Sequence, residues 1–255
     1  MTVNKNQYQY DFSTIHFNSM HNHSARVRKA RTMVLVLREY LRSDLKALNL
    51  QDIGCSTRII LDYLSHHFGS VTGIDIDRLA VTYASATFQK DNLSFSHSDS
   101  LHISQPDDLF DIAICVQVYE HVPDANQMMK EIYRVLKPGG VCYFAAGNRL
   151  QLVEPHYNLP FLSMLPLNAA NAYLRLTGKG KVYYEKHLSF WGLKRLVRKF
   201  ACVDYTRKII EVPRRFHAGY LLPSGSLKNW FAKLFVRHAY QIVPGYIWLL
   251  KKVIF

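Results

Sequence analysis

Between residues 24 and 49, Val27, Met33, Val34, Val36, Leu37, Leu41, Leu45 and Leu48 recur at helical spacing on one broad face, with basic residues between them. A helical lead-in is predicted there. Short apolar runs then alternate with amphipathic stretches. The pattern predicts strands over Asn49 to Ile53, Ser70 to Ile74, Leu93 to Ser96, Phe110 to Val116 and Val141 to Ala146, with helices over Arg58 to His67, Arg78 to Lys90 and Asp124 to Leu136. Strands alternating with helices of this length signal a parallel sheet covered on both faces. The run Ala113-Ile114-Cys115-Val116 is apolar on both parities, as a strand buried on both sides requires. The pattern breaks into a Pro- and aromatic-rich insertion between Arg149 and Tyr184, then resumes with a helix over Phe190 to Lys199 and a strand-like stretch over Val203 to Val212.

A chain of 255 residues with 49% apolar content can bury a substantial core, so one elaborated domain is expected. The division expected is a helical cover over residues 1–48, a main domain over 49–212 with a lid insertion at about 149–184, and a basic, aromatic segment over 213–255. Cys55, Cys115, Cys142 and Cys202 lie far apart with no Cys-x-x-Cys pair, which predicts reduced, mostly buried thiols. Residues Met1 to Phe12 are polar and lack a basic-then-apolar pattern, so a cytoplasmic protein is expected. The longest apolar stretches, Leu159 to Ala170 and Ala239 to Leu250, are shorter than the roughly 20 residues a spanning helix needs.

The net charge of +13 is concentrated at one end. From Leu193 to Phe255 there are 13 Lys and Arg against 2 Asp and Glu. They are interleaved with Trp230, Phe231, Phe235, Tyr240, Tyr246, Trp248 and Phe255. A membrane surface at the inner face, an anionic lipid-linked substrate or a nucleic acid each suits such a composition. From about Ser226 onward, a peripheral membrane contact stands against the alternative that the aromatics pack on the main domain and the lysines face water.

In an open parallel sheet, ligands bind at the carboxyl ends of the strands. Asp52-Ile53-Gly54-Cys55-Ser56 follows the first strand, and the second ends in Ile74-Asp75-Ile76-Asp77. A carboxylate about 20 residues beyond a glycine turn is the expected acceptor for ribose hydroxyls. These two features suit NAD-binding and adenosylmethionine-binding domains alike. The decision comes downstream, where Asp99-Ser100 follows the third strand, Phe110-Asp111-Ile112 begins the fourth, and Gln117-Val118-Tyr119-Glu120-His121-Val122 follows it. Arg134-Val135-Leu136-Lys137-Pro138-Gly139-Gly140 comes next, and Pro138 with the two glycines is expected to end the helix and turn the chain into the next strand.

Residues 49–147 closely resemble the class I S-adenosylmethionine-dependent methyltransferases of small-molecule type. The resemblance implies a Rossmann-like, seven-stranded, mostly parallel α/β sheet with helices on both faces, and S-adenosyl-L-methionine as cofactor. It implies that Gly54 lets the backbone approach the methionine part, that Asp75 with Ile76 holds the ribose, and that Asp99 with Ser100 meets the adenine. Asp52 would orient the glycine loop or receive the ammonium through water, while Ser56 occupies the middle glycine place and Gln117 passes the amino-acid moiety. Arg58 departs from the family pattern, standing where a third glycine permits close packing.

Methyl transfer from a sulfonium is an in-line displacement, so holding the reactants in line can supply about 7 to 11 kcal/mol. A hydroxyl acceptor also needs a base, and His121, just past the fourth strand, is the leading candidate, with loop bracing as its alternative. In the insertion, Asn148-Arg149, Glu154-Pro155-His156, Leu159-Pro160 and Leu165-Pro166 resemble a bacterial subgroup associated with surface glycans and lipid-linked sugars. His156 and Glu154 are acid-base or acceptor-binding candidates, or members of a Pro-braced lid. His21-Asn22-His23 lacks further ligands at fixed spacing, so no metal site is expected. The partner expected is a small-molecule or lipid-linked acceptor, methylated at an oxygen of a sugar or glycan. A nucleic-acid substrate is disfavoured because Val116-Gln117-Val118-Tyr119 stands where amino-directed DNA enzymes carry Asn/Asp-Pro-Pro-aromatic. A non-catalytic binding relative is the remaining alternative.

Overall fold

The computed structural model describes residues 22–56, 59–87 and 90–253. Arg58, His21, Phe255 and most of the stretch before the first helix, which sequence reading had singled out, lie outside the described residues.

Helix α1, His23–Leu41, starts where the Asn22 side chain accepts from the Ala25 amide, and buries Ala30, Met33, Val34, Val36 and Leu37. The alternation then proceeds as β1 Asn49–Ile53, α2 Ile59–Ser65, β2 Ser70–Asp75, α3 Arg78–Thr87, β3 Leu93–His97, β4 Phe110–Val116, α4 Ala125–Val135 and β5 Leu136–Gly147. After a two-strand hairpin, β6 Val153–Glu154 with β7 Leu159–Pro160, come α5 Leu167–Leu176, α6 Phe190–Leu196, β8 Phe200–Asp204, α7 Thr206–Glu211, α8 Leu227–His238 and β9 Gly245–Lys252.

Seven strands form one sheet in the order β3-β2-β1-β4-β5-β9-β8. The first five run parallel, while β9 is antiparallel to both β5 and β8. The chain crosses from β3 to β4 around β1, so strand order reverses beside β1, and in open α/β sheets the carboxyl end at such a reversal is where the ligand crevice forms. The mixed parity of the central strands has a simple cause. In β4, Ile112 and Ile114 join the layer containing α1 and α2, while Ala113 and Cys115 join the opposite layer with α4 and α6. β5 divides likewise, with Tyr143 on one side and Phe144 on the other. The thiols are free, with Cys55, Cys115 and Cys142 buried and Cys202 half-buried.

Three expectations are corrected. The stretch predicted as a turn at Pro138-Gly139-Gly140 is part of β5: Leu136 already pairs with Phe110, and the register shifts before Ile112 meets Val141. Gly139 takes φ +78°, and a Cβ on Gly140 would lie 2.8 Å from the Lys137 carbonyl, so the glycines form a bulge where backbones press together. The stretch Val203 to Val212 is strand only to Asp204. The Asp204 side chain then accepts from the Thr206 amide at 2.9 Å and the chain coils into α7.

The third correction concerns residues 213–255, which do not form a separate segment. β9 lies inside the sheet, and Trp248, Leu249 and Leu250 are fully buried. The Trp248 indole donates to Tyr240 Oη at 3.0 Å, which satisfies its one polar group. Lys252 is also engaged, donating to Asp108 at 2.6 Å and to the Leu136 carbonyl at 2.7 Å. What remains on the surface is α8. Its Asn229 and Val236 are buried, Asn229 donating to the Ile210 carbonyl at 3.0 Å, and Trp230, Phe231, Leu234 and Phe235 are exposed.

The motif residues outside the crevice brace it. Arg134 donates to Glu131, Asp107 and the carbonyls of Ile103 and Gln105, fastening the loop after β3 to α4. These carboxylates raise the already high pKa of Arg134. Asp111 accepts from Lys137 through both oxygens and from the Asn49 amide at 2.9 Å, joining β1, β4 and β5 at their amino ends.

Candidate active site

At the end of β1, Gly54 takes φ +75°, and its amide and that of Cys55 both donate to the Ile74 carbonyl. A Cβ on Gly54 would meet Val118 Cγ2 at 2.7 Å, so the fold itself favours glycine here. Ser56 follows at φ +45°, the left-handed region in which glycine is most at ease. That conformation is held by the Ser56 amide, which donates to Asp75 Oδ2 at 2.7 Å. Asp75 Oδ1 accepts from the Asp77 amide at 2.8 Å, and Asp77 in turn caps α3 through the Ala80 amide. The carboxylate is thus fixed by backbone amides, with Ile76 adding to Ser56 and Asp77, and a carboxylate oxygen can accept more than one hydrogen bond.

The structure brings Asp52 to the same place. Burial pushes its carboxyl up to about 8, with Arg26 favouring its charge and Asp75 opposing it. Burial also raises Asp75, against the backbone hydrogen bonds from Asp77 and Ser56. Arg26, from α1, lies over this pair: burial lowers its pKa, and Asp52, Cys55 and Asp75 raise it. Sequence reading missed Arg26, because nothing in its spacing separates it from the other basic residues of the helix. A half-buried cation beside one buried and one half-buried carboxylate suits a ligand with a diol and an amino-acid zwitterion.

Ile76 and Asp99 lie at neighbouring strand ends. The Ile76 carbonyl is 3.1 Å from His97 Nε2, and Asp99 Oδ1 accepts from the Leu101 amide at 2.8 Å, with Ser100 buried beside it. At the end of β4, Gln117 takes φ +55° while its amide donates to the Ala145 carbonyl. A Cβ on Gly147 would lie 3.3 Å from both Gln117 Oε1 and His187 Nδ1, so these side chains share the space over the ends of β4 and β5.

From there a second cluster extends to the insertion at about 149–184. Tyr119 Oη donates to the Gly147 carbonyl at 2.6 Å and accepts from the Leu188 amide at 3.1 Å, and the Lys186 amide donates to the Glu120 carbonyl. The segment before α6 is thereby tied to the loop after β4. Glu120, Glu154, Glu185 and His187 are consequently buried together, with His156 half-buried. Glu154 Oε2 accepts from the amides of His156 and Tyr157, both at 2.9 Å, and Oε1 from His156 Nδ1 at 2.6 Å. Although burial works against its charge, hydrogen bonds from His156 and His187 hold the Glu154 carboxyl down at about 2. Burial lowers the His156 pKa, but Glu154, Glu185 and Glu120 outweigh it and the net shift is upward. Glu120 has no such clamp, and burial pushes it up to about 7 against the pull of His187 and His156. The rings of His121 and His156 stand edge to face, 5.1 Å apart, so the two catalytic candidates meet in one place. Glu185 and His187 were not anticipated, since they lie outside every local motif.

A family model described as a methyltransferase domain matches residues 51–144. A ubiquinone biosynthesis O-methyltransferase of Coxiella burnetii is 32% identical over 107 residues, covering 41% of this chain and 46% of that protein. The match therefore spans less than half the length of this curated relative. Among solved structures, the plantazolicin methyltransferase BpumL, in complex with a monoazolic desmethylPZN analog and SAH, superposes with TM-score 0.63 at 18% identity, over 97% of this chain and 95% of that one. An S-adenosylmethionine dependent methyltransferase from Mesorhizobium loti gives TM-score 0.54 at 15% identity, over 84% and 97%.

Proposed function

We propose that this chain, whose residues 51–144 form a class I S-adenosylmethionine-dependent methyltransferase domain, methylates an oxygen of a small or lipid-linked acceptor, of sugar or glycan type. The observation that carries the reading is the cradle at the strand ends, where Asp75 is locked by the Ser56 and Asp77 amides beside Asp52 and Arg26. In this reading Asp75 holds the cofactor's ribose, Asp99 with Ser100 and Ile76 borders the adenine, and Gly54, Ser56 and Gln117 border the methionine part. Arg26 and Asp52 complement its carboxylate and ammonium. The cofactor supplies an electrophilic methyl group on a sulfonium.

The chain's own residues orient the acceptor and manage its proton. His121 takes the acceptor's hydroxyl proton, and the Glu154–His156 pair binds the acceptor beside it. An acceptor oxygen is supported by the curated relative, which is named for O-methylation. A lipid-linked acceptor is supported by α8, where Lys228, Lys233 and Arg237 accompany the exposed Trp230, Phe231, Leu234 and Phe235. Cationic side chains with aromatic rings suit an anionic membrane surface. No helix among the described residues is long and apolar enough to cross a membrane.

The test is incubation of the purified protein with methyl-labelled S-adenosylmethionine and fractionated lipid and glycan extracts. Label in an ether-linked methyl of a glycan or glycolipid is the expected result. Label confined to methylated nucleic-acid bases overturns the assignment of the acceptor.

A further inference from the structure

Glu154, His156 and His187 place one carboxylate oxygen and two imidazole nitrogens within 4.8 Å of one another, in a buried position. The two residues of the β6 region and the one before α6 are more than 30 positions apart, so only the fold makes this set. Glu154 Oε2 is occupied by the two backbone amides, which aims Oε1 at both rings: 2.6 Å to His156 Nδ1 and 3.6 Å to His187 Nε2. Ligand atoms about 2.0 to 2.1 Å from a tetrahedral ion are separated by roughly 3.4 Å, so the His187 pair already has the required spacing. The His156 pair is closer, at hydrogen-bond distance, and a dication binding there would take the place of the proton such a bond shares.

An independent observation points the same way. Glu120 is fully buried, and among the described residues no other residue donates a hydrogen bond to either of its carboxylate oxygens. Its charge interacts with His187 and His156, and Glu185 adds a further buried carboxylate to the same cluster. A buried carboxylate without a partner is costly unless it is protonated, paired or beside a cation, and the two imidazoles next to it make a cation site the third of these. His187 Nδ1 is likewise without a partner.

We infer that Glu154, His156 and His187 form a site for a zinc-class divalent cation under the lid, with Glu120 providing the compensating charge. Two imidazoles and one carboxylate are the donor set of late first-row divalent ions such as Zn²⁺; magnesium and calcium favour all-oxygen sites. Three protein ligands leave a coordination position open, and an oxygen of the acceptor is the group that would fill it as a Lewis base. The expectation of no metal was drawn from His21-Asn22-His23 and did not weigh this set, which only the fold assembles. The cation site does not depend on the methyltransferase reading.

The test uses the full chain, stripped with a chelator and titrated with Zn²⁺ by calorimetry, with Co²⁺ absorption reporting ligand geometry. One ion per chain is expected, with a tetrahedral or five-coordinate Co²⁺ spectrum carrying histidine ligation. His187→Ala and Glu154→Gln should each lower Zn²⁺ affinity at least tenfold. Should either buried variant fail to fold by circular dichroism, His156→Ala, at a half-buried position, gives the same readout. Absence of stoichiometric binding, or wild-type affinity in the folded variants, overturns the site. S-adenosylmethionine titration of the same stripped protein separates the two readings: loss of that binding with Zn²⁺ affinity retained removes the methyltransferase reading alone.

Discussion

The Ser56 amide donates to Asp75 Oδ2 at 2.7 Å, so the loop after β1 and the carboxylate at the end of β2 are one unit. Asp75→Ala is therefore expected to remove the acceptor of the ribose hydroxyls and to release Ser56 from its left-handed conformation. Loss of a charged acceptor is worth about 1 to 3 kcal/mol, a weakening of cofactor binding of roughly fivefold to 150-fold. Calorimetry on the folded variant reads this directly, and unchanged affinity removes Asp75 from the cradle.

Gly54 is expected to be intolerant for two reasons. Sequence reading predicts that Gly54→Val blocks the cofactor's approach without unfolding the domain. The structure revises the second half of that expectation, because φ +75° and Val118 Cγ2 at 2.7 Å from a built Cβ make any side chain strained here. Even Gly54→Ala should lower the melting temperature, since alanine at positive φ costs more than about 1 kcal/mol. A thermal melt equal to wild type would show that the loop relaxes around the substitution.

His121→Ala should leave cofactor affinity nearly intact and reduce turnover by about 10² to 10⁴, the range of general-base contributions. A matching loss of cofactor binding would instead make His121 a brace for the loop.

Burial of Asp52 makes stability depend on pH. Its carboxyl is pushed from 3.8 up to about 8 in the folded chain. Below about pH 4 both folded and unfolded chains carry the proton; between about 4 and 8 the folded chain keeps it after the unfolded chain has lost it. The folded state then binds more protons, so stability falls as pH rises through this window and levels off above it. Asp52→Asn should flatten that part of the pH profile in urea unfolding without cofactor. Parallel profiles for variant and wild type would show that Asp52 is ionised throughout.

The exposed aromatics of α8 give a further expectation, tested with sedimentation on vesicles. The full chain should pellet with anionic but not neutral vesicles, less so in high salt, and Trp230→Ala with Phe231→Ala should release it. A protein that stays in the supernatant at low salt contradicts the membrane contact. Truncation at Ser226, which the sequence alone would suggest, is unsuitable because it deletes β9 from the middle of the sheet.

The cradle was legible because its parts are local. Gly54 and Gln117 directly follow a strand, Asp75 ends one and Asp99 lies two residues past one, and the apolar run of each strand marks its own end. Arg26, Glu185 and His187 were not, since they reach the site from a covering helix and from an irregular segment whose position is set by the Tyr119 and Glu120 contacts. The misreading of residues 213–255 has a related cause. The apolar residues of β9 stand beside Lys251 and Lys252, and composition alone does not reveal that Lys252 is paired with Asp108 while Trp248 fills the core. In Val203 to Val212, an apolar run suited both a strand and a short helix, and the Asp204 cap decided between them.

The most direct measurement of the central claim is titration of the purified chain with S-adenosylmethionine, followed by calorimetry and by the shift in melting temperature. A saturable heat with one site per chain, a raised melting temperature, and loss of both in Asp75→Ala are the results expected of the cradle at the ends of β1 and β2. No heat and no thermal shift at millimolar cofactor, from a protein that is folded, would contradict it.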